Sequence, residues 1–353
     1  MTTLIYFYRH PDPMYFSLEK LFAAISRQIH DGYEHEFAVQ EKFLPLSTKW
    51  KSILPNLVFT KKNQGRINHI TGDIHYAILA CSKRNVNVLT IHDCVLLHRY
   101  SVRNPRYWIM KWLWYDLPVR KADAVTVISE NTKTELLRFT KCDPRKIRVI
   151  SNFVDPIFQA APSSGRAAPS SGKTAPSSAK NDLPCILFIG STPNKNLERL
   201  AEAIEGIKVR LEIVGMLTGE QRTVLEKYRI DYRQSSGLTP ESLLDKYIQC
   251  DLLAFPSTYE GFGLPIIEAQ AVGRPVLTSN IAPMAGIAGG AACLADPYDV
   301  ASIREGVLHI LNDEQYRMNM IRLGLDNVNR FRLDKVTDQY VALYRELVRQ
   351  KLN

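Results

Sequence analysis

Two glutamates, Glu260 and Glu268, lie eight residues apart in the stretch YEGFGLPIIEAQAVGRPVLTSN, which runs from Tyr259 to Asn280. A helix is predicted over residues 265–272, because proline suits the first turn of a helix and a glycine suits the position just past its end. Glu268 then lies one turn inside the helix, where it can accept two hydrogen bonds from a vicinal diol such as that of ribose. Glu260 lies in the preceding loop and can bind a sugar ring in the same way. Alternatively, Glu260 is a solvated loop residue and Glu268 a helix-surface residue.

The glycine-rich turn before this helix is suited to binding phosphate. Gly261 and Gly263 let a ligand approach the backbone closely. The first N–H groups of a helix are partially positive, so those near Leu264 and Ile266 can bind phosphate oxygens. The turn and the two glutamates together predict a site for a phosphate-bearing ligand.

A second candidate phosphate-binding group, Lys195, lies in the stretch CILFIGSTPNKNLERL. The order of strand, Gly190, short loop, lysine and helix puts a point charge where a phosphate can bind. Alternatively, Lys195 is a surface lysine at a helix start, a position where a cation is slightly unfavourable. The usual nucleotide-binding fingerprints, GxGxxG and GxxxxGK[ST], are absent from the sequence.

Short apolar runs alternate with helical patterns in both halves of the chain, and these elements must position the candidate residues. Strands are predicted at TLIYFY, VNVLTIHD, AVTVIS and KIRVISN in the first half, and at CILFIG, VRLEIVG, DLLAFPS and PVLTS in the second. This alternation predicts an α/β fold with two Rossmann-like parallel-sheet domains facing a cleft. Ligands of such sheets bind beyond the carboxyl ends of the strands.

The predicted domain boundaries follow changes in composition. Residues 1–159 form the first domain, and residues 160–181 form an Ala/Pro/Ser-rich linker or loop that has no large apolar side chain to bury. Residues 182–330 form the second domain. Residues 331–353 form an amphipathic C-terminal helix.

Composition narrows the class of protein. A chain of 353 residues with 45% hydrophobic residues favours two ordinary globular domains. The six cysteines are scattered, which argues against a zinc site or a disulfide framework and favours a reducing, cytoplasmic compartment. No signal peptide and no membrane-spanning run are predicted from the sequence.

The net charge of +9 is concentrated in the first domain, where residues 1–159 hold 23 Lys and Arg against 14 Asp and Glu. Such a surface suits anionic lipid, nucleic acid or an acidic substrate, or it is simply a soluble basic surface. The stretch SVRNPRYWIMKWLWYDLPVRKAD mixes basic residues with Trp108, Trp112 and Trp114. These tryptophans either rest on a membrane surface or pack one face of a helix into the core.

The stretches that contain Lys195 and the two glutamates, together with GLTPESLLDKYIQCDLLAFPS and AACLADPYD, resemble the nucleotide-sugar domain of glycosyltransferase family four, which has the GT-B fold. The resemblance is dense over residues 185–330 and weaker before them. It implies a retaining, metal-independent hexosyltransferase of polysaccharide biosynthesis that needs no cofactor. It also implies that the second domain binds a nucleoside-diphosphate sugar donor, that the first binds a glycan or lipid-linked acceptor, and that the C-terminal helix packs back on the first.

The resemblance assigns roles by position. Glu268 would bind the donor ribose, Glu260 the donor sugar and Lys195 the diphosphate, with Gly237 and Leu238 bordering the base. The full expected donor site is Gly190, Lys195, Gly237, Leu238, Glu260, Gly261, Phe262, Gly263, Leu264 and Glu268, with no metal ligand.

On the acceptor side, the resemblance points to His92, which follows a strand and would face the donor sugar. The expected catalytic residues are therefore Glu260, Lys195 and His92. Alternatively, His92 is a hydrogen-bonded core residue, and Asp93 either orients it or caps the next turn. His69 and His75 are structural residues or acceptor-loop residues, without preference between the two.

One departure from the family pattern leaves other functions open. Family members often have an arginine just after the glycine that matches Gly190, and this chain has Ser191 there. More of the phosphate binding then falls to Lys195 and the helix start. One alternative is a non-catalytic sugar-nucleotide binder, which Ser191 leaves open, and another is a nucleotide-sugar epimerase of the same fold. The basic charge also fits a nucleic-acid-binding protein, but the aromatic-basic stretch is too short to outweigh the donor motifs, so no nucleic-acid partner is expected.

Overall fold

The computed structural model describes residues 1–11, 17–99, 101–159 and 183–352, and the chain divides into two compact units. The first unit contains residues 1–153 and 333–353, and the second contains residues 154–332. The Ala/Pro/Ser-rich segment expected at 160–181 lies outside the described residues.

The first unit is a parallel sheet with strand order β2-β1-β3-β4-β5-β6. Chain order along the sheet reverses between β1 and β3, which is where ligands bind in open α/β sheets. Its elements are β1 (Thr2–Tyr8), α1 (Ser17–Gly32), β2 (Phe37–Phe43), α2 (Ile53–Lys62), β3 (Ile67–Ile70), β4 (Val86–Ile91), α3 (Val95–Arg99), α4 (Pro105–Met110), a π-helical segment (Lys111–Asp116), α5 (Leu117–Lys121), β5 (Ala124–Val127), α6 (Glu130–Phe139), β6 (Ile147–Val149) and the C-terminal helix (Leu333–Leu352). Short 3₁₀ turns lie at Trp50–Ser52, His75–Ala80 and Pro144–Lys146.

The second unit is also a parallel sheet, with strand order β12-β11-β10-β7-β8-β9. Here the order reverses between β7 and β10, as in dinucleotide-binding folds. Its elements are α7 (Pro156–Gln159), β7 (Cys185–Ile189), α8 (Leu197–Ala203), β8 (Arg210–Val214), α9 (Gly219–Lys227), β9 (Tyr232–Ser235), α10 (Pro240–Gln249), β10 (Leu252–Phe255), α11 (Leu264–Ala271), β11 (Val276–Ser279), α12 (Met284–Ala288), β12 (Cys293–Ala295), α13 (Val300–Asn312) and α14 (Glu314–Val328). In chain order the C-terminal helix is then α15. The two-sheet α/β fold expected from the sequence is therefore present.

The unit boundaries differ from the expected ones at two places. Residues 154–159 belong to the second unit, because the Phe158 ring packs against Tyr247 with ring centroids 5.5 Å apart. Phe331 also belongs to the second unit, where its ring lies 5.8 Å from that of Phe262. A 3₁₀ turn ends the second unit at Phe331, and α15 begins only at Leu333.

A buried polar network attaches α15 to the first sheet. The Tyr344 hydroxyl lies 2.9 Å from the Tyr6 hydroxyl and 2.6 Å from Nδ1 of His69. Nε2 of His69 lies 2.7 Å from the Thr90 hydroxyl. Burial lowers the pKa of His69 to about 3, so the imidazole is neutral and can donate from one nitrogen and accept at the other. His69 is therefore a structural residue of the first unit.

No helix among the described residues is long and apolar enough to cross a membrane.

Candidate active site

Lys195 and Glu260 form an ion pair, with Nζ 2.6 Å from Oε1. Both side chains keep only a minor part of their surface exposed, so the pair is largely shielded from water. Lys195 also lies over the Phe255 ring, with Nζ 4.7 Å from the ring centroid. Lys195 follows β7 and Glu260 follows β10, the two strands between which the chain order of the sheet reverses. The structure thus brings together two of the residues singled out in the sequence.

Backbone geometry after β7 places the lysine. Gly190 has a φ of +98°, and a Cβ added there would lie 2.7 Å from Cε of Lys195, so the lysine stem crosses the glycine. Residues 193–195 form a 3₁₀ turn, and Asn196 then has a left-handed φ of +70°. The buried Asn196 amide donates to the carbonyls of Pro256 and Pro297, at 2.9 and 2.7 Å. The turn that carries Lys195 is therefore fixed to the neighbouring loops.

The loop that carries Glu260 is held by the same turn. The Asn194 amide donates to the Tyr259 carbonyl at 2.9 Å and reaches Oε1 of Glu260 at 3.5 Å. The Thr258 N–H donates to the Asn194 carbonyl at 2.8 Å. The two loops after β7 and β10 are therefore cross-linked, which fixes the ion pair in position.

The start of α11 has no side-chain cap, but one of the two N–H groups expected to bind phosphate is already hydrogen-bonded. Gly263 occupies the position before the helix with a φ of +106°, and no side chain caps the helix start. The Ile266 N–H does not remain available for phosphate, because it donates to the Gly263 carbonyl at 3.0 Å. The buried Phe262 side chain packs on Phe331, so Phe262 can offer a ligand only its backbone.

Glu268 has a different environment from Glu260. Its Oε2 accepts a 2.6 Å hydrogen bond from the hydroxyl of Tyr247, which is buried on α10. Burial among protein atoms raises the pKa of Glu268 to about 7; the bond from Tyr247 opposes this rise and the nearby Asp155 adds to it. The side chain nevertheless keeps part of its surface exposed. Glu268 is thus a fixed hydrogen-bond acceptor whose charge changes near neutral pH.

The remaining expected donor residues are placed less distinctively. Gly237 is exposed, with a φ of +65°, and Leu238 is half-buried; both follow β9 at the edge of the sheet. Ser191 lies in the arginine position of the family pattern, and its carbonyl accepts from the Gln221 amide at 2.9 Å.

In the first unit, His92 is buried at the end of β4, and neither ring nitrogen has a hydrogen-bond partner in the described part of the chain. The described residues therefore do not support the alternative interpretation of His92 as a hydrogen-bonded core histidine. Burial, with smaller contributions from the nearby His75 and Arg9, lowers the pKa of His92 to about 3. A neutral imidazole with a donor and an acceptor to offer is suited to binding a hydroxyl group.

Sequence reasoning missed Asp73, Asn196 and Tyr247. Asp73 follows β3, the neighbour of β4, and one of its buried carboxylate oxygens has no hydrogen-bond partner among the described residues. No strand was predicted before Asp73, so nothing in the sequence indicated it. Asn196 and Tyr247 act only through Lys195 and Glu268, so neither spacing nor residue type singled them out.

Comparison with known proteins agrees with this arrangement. Residues 173–325 match the family model described as glycosyl transferases group 1, and residues 44–158 match the model described as glycosyltransferase family 4. O-antigen chain mannosyltransferase B of Escherichia coli is 31% identical over 173 residues. The match covers 46% of this chain and 45% of that protein, so the chain spans less than half the length of this relative.

Two solved structures share the fold. Sucrose-phosphate synthase of Thermosynechococcus elongatus superposes with a TM-score of 0.78 at 18% identity, over 99% of this chain and 100% of that one. Alr3699/HepE of Anabaena, solved with UDP and glucose, has a TM-score of 0.72 at 15% identity, over 98% of this chain and 100% of that one. Together, the two parallel sheets and the solved structures show the GT-B fold, and the two family models, matched in chain order, support a glycosyltransferase of the family-four type.

Proposed function

We propose that this protein transfers a hexose from a nucleoside-diphosphate sugar to a glycan or lipid-linked acceptor, with retention of configuration and without a metal ion. The observation that carries the proposal is the Lys195–Glu260 ion pair at the point where the order of the second sheet reverses. Each member of the pair binds one part of such a donor, a cation for the diphosphate and a carboxylate for the sugar hydroxyls.

Lys195 stabilises the leaving diphosphate. As the glycosidic bond breaks, negative charge grows on the diphosphate, and a largely shielded ammonium stabilises that charge more strongly than it would in water. In the absence of donor, the Glu260 carboxylate pairs with the Lys195 ammonium. When donor binds, the diphosphate takes the place of the carboxylate beside Lys195, and the carboxylate accepts hydrogen bonds from the sugar hydroxyls. The uncapped start of α11 contributes N–H groups to the same phosphates.

Glu268 binds the donor at its other end. As a carboxylate it accepts from the ribose hydroxyls, while Tyr247 fixes the orientation of the carboxyl group through the 2.6 Å bond. This role does not touch the reacting atoms, so it affects donor affinity rather than the chemical step.

The first unit binds the acceptor. His92 and Asp73 follow neighbouring strands and offer a neutral imidazole and a carboxylate oxygen that have no hydrogen-bond partner among the described residues. These groups orient the acceptor hydroxyl, whose oxygen forms the new bond to the anomeric carbon while its proton passes to the leaving diphosphate.

The family relationship favours a transferase over an epimerase, since the relative above is a mannosyltransferase. We also propose a cytoplasmic protein that works at the inner face of a membrane. All six cysteines are free, which suits a reducing compartment.

The test compares the two glutamates. A thermal-shift screen of nucleotide sugars identifies the donor, which raises the melting temperature by mass action. Transfer is then measured in excess EDTA for the parent and two variants. Glu260→Gln should bind the free nucleoside diphosphate at least as well as the parent, because Lys195 loses its partner. It should transfer sugar about a hundredfold more slowly, as expected when a contact that strengthens in the transition state is lost.

Glu268→Ala is the matched variant. It should weaken the binding of donor and free nucleotide by similar factors, because both contain the ribose. Transfer by Glu260→Gln at the parental rate would contradict the role of Glu260. Loss of activity in EDTA that Mg²⁺ or Mn²⁺ restores would contradict metal independence. Donor turnover without any acceptor would favour the epimerase.

A further inference from the structure

Large hydrophobic side chains are exposed on one part of the first unit. In the described part of the chain sixteen such side chains are exposed, and ten of them lie within residues 43–58 and 95–112. Single exposed hydrophobic residues are normal, but a concentration of them indicates an interaction site. We define the aromatic-basic surface by eight of the ten: Leu46, Trp50, Leu54, Val58, Val102, Trp108, Ile109 and Trp112.

Within each segment the exposed side chains recur on one helical face. Trp50 lies in the 3₁₀ turn that leads into α2, and Leu54 and Val58 follow it at intervals of four residues. In the other segment Trp108 and Trp112 are also four residues apart, and residues at this spacing are neighbours on a helix surface. Trp114, by contrast, is buried. Core packing, one of the two alternatives left open by the sequence, therefore applies to Trp114 and not to Trp108 or Trp112.

Buried contacts hold the two segments together. The Trp50 ring packs edge-on against Trp114, with ring centroids 5.8 Å apart. The Asn56 amide of α2 donates to the Tyr76 hydroxyl at 2.8 Å, and the Tyr76 ring lies 5.0 Å from that of Trp114. The two segments are therefore packed together, and their exposed side chains face solvent.

The charge around these side chains is almost entirely positive. Residues 43–62 contain four lysines and no Asp or Glu. Residues 95–121 contain six Lys and Arg and a single acid, Asp116, whose carboxylate is bound by Lys111 at 2.6 Å. The surface therefore combines exposed hydrophobic groups with an excess of cations.

We propose that the aromatic-basic surface binds an anionic lipid bilayer. Exposed Trp, Leu and Ile side chains enter the boundary between headgroups and acyl chains, while lysines and arginines remain at the lipid phosphates. Each basic residue near an anionic membrane adds to the electrostatic attraction. This inference extends the proposed membrane location to a defined surface and does not involve the donor site.

Other occupants fit the surface less well. A second copy of the chain would bring two basic surfaces together, and like charges in an interface oppose association. A nucleic acid would meet the cations and could stack bases on the three tryptophans, but the five aliphatic side chains of the surface offer no ring on which a base could stack.

Tryptophan fluorescence tests this inference directly, because three of the four tryptophans of the chain, Trp50, Trp108 and Trp112, belong to this surface, and the fourth, Trp114, packs against Trp50. The full-length protein is mixed with vesicles of phosphatidylcholine and phosphatidylglycerol in equal parts, without donor or acceptor. The emission should move to shorter wavelength, and brominated acyl chains should quench it. Binding is thus measured independently of sugar transfer, so failure of one proposal does not imply failure of the other.

A matched pair of variants locates the binding surface. Leu54→Ser/Ile109→Ser should lower the vesicle partition coefficient at least tenfold, because both substitutions lose the apolar area that the aliphatic side chains would remove from water. The control variant, Leu294→Ser/Leu325→Ser, changes two exposed leucines of the second unit. It should change the vesicle partition coefficient less than about twofold, because these leucines lie outside the aromatic-basic surface. All four positions are exposed, so both variants should fold.

Three results would overturn the proposal. The first is emission that anionic vesicles leave unchanged. The second is equal binding to vesicles of pure phosphatidylcholine, which would remove the role of the basic residues. The third is a shift of emission that depends on protein concentration in the absence of lipid, which would identify a second copy as the occupant.

Discussion

Replacing Glu268 with glutamine should stabilise the protein at high pH and much less at low pH. Burial moves the pKa of Glu268 from 4.5 to about 7, so between these values the folded protein binds more protons than the unfolded chain. Stability is therefore lost as the pH rises through this window. From the two pKa values, the ionised carboxylate destabilises the folded state by about 3 kcal/mol at pH 8 and about 1 kcal/mol at pH 5. Glutamine carries no charge and can still accept from Tyr247.

The assay is calorimetric unfolding of the full chain at both pH values, without nucleotide. For a unit of this size 1 kcal/mol corresponds to about 2–4 °C, so the melting transition of the second unit should rise by about 6–12 °C at pH 8 and by only about 2–4 °C at pH 5. Glu305→Gln, which changes an exposed glutamate of α13, should have the same small effect at both. An equal gain from Glu268→Gln at both pH values would refute the reasoning, because a neutralised buried charge must show this dependence.

Two further predictions concern the lysine. Lys195→Ala should raise the Kd of the free nucleoside diphosphate roughly 5- to 150-fold in isothermal calorimetry, the equivalent of about 1–3 kcal/mol for a charged hydrogen bond. Lys208→Ala, which changes an exposed lysine, should leave this Kd unchanged. Equal binding by both variants would show that Lys195 does not bind the diphosphate. Gly190→Ala should weaken nucleoside-diphosphate binding, because the new Cβ displaces the lysine stem. Gly206 also has a positive φ, +72°, but no atom lies within 4 Å of a Cβ added there. Gly206→Ala should therefore lower stability without changing this binding. Equal affinities of the two alanine variants would show that contact with the lysine is irrelevant.

Apart from the edge strand β6, the strands that the sequence revealed are central strands that are largely buried on both faces. Central strands such as β4 and β10 are uninterrupted apolar runs, so composition alone indicates them. The edge strands β2 and β9 were missed because they carry exposed polar residues, as their sequences FAVQEKF and YRQS show. Strand β3 was missed for a different reason: its sequence INHI contains Asn68 and His69, two polar residues that are buried because partners from distant segments satisfy them.

The candidate site was predictable in its residues but not in its contacts. Glycines, a lysine and two glutamates beside predicted strand ends indicated Lys195, Glu260 and Glu268. Nothing in the spacing indicates that the first two form an ion pair, because 65 residues separate them and strand order alone makes their loops neighbours. The raised pKa of Glu268 also depends on tertiary packing, since its cause is burial beneath residues of other elements.

The attachment of α15 to the first sheet has a consequence for the order in which the protein is made. Tyr6 and Tyr344, whose hydroxyls meet in the buried network, are 338 residues apart in the chain. The second unit, by contrast, is continuous from Val154 to Arg332. During synthesis the ribosome therefore releases the whole second unit before it releases the helix that covers Tyr6 and His69. Until then the Tyr6 hydroxyl and Nδ1 of His69 lack the Tyr344 hydroxyl as their partner, so the unit whose synthesis begins first is the last to be completed.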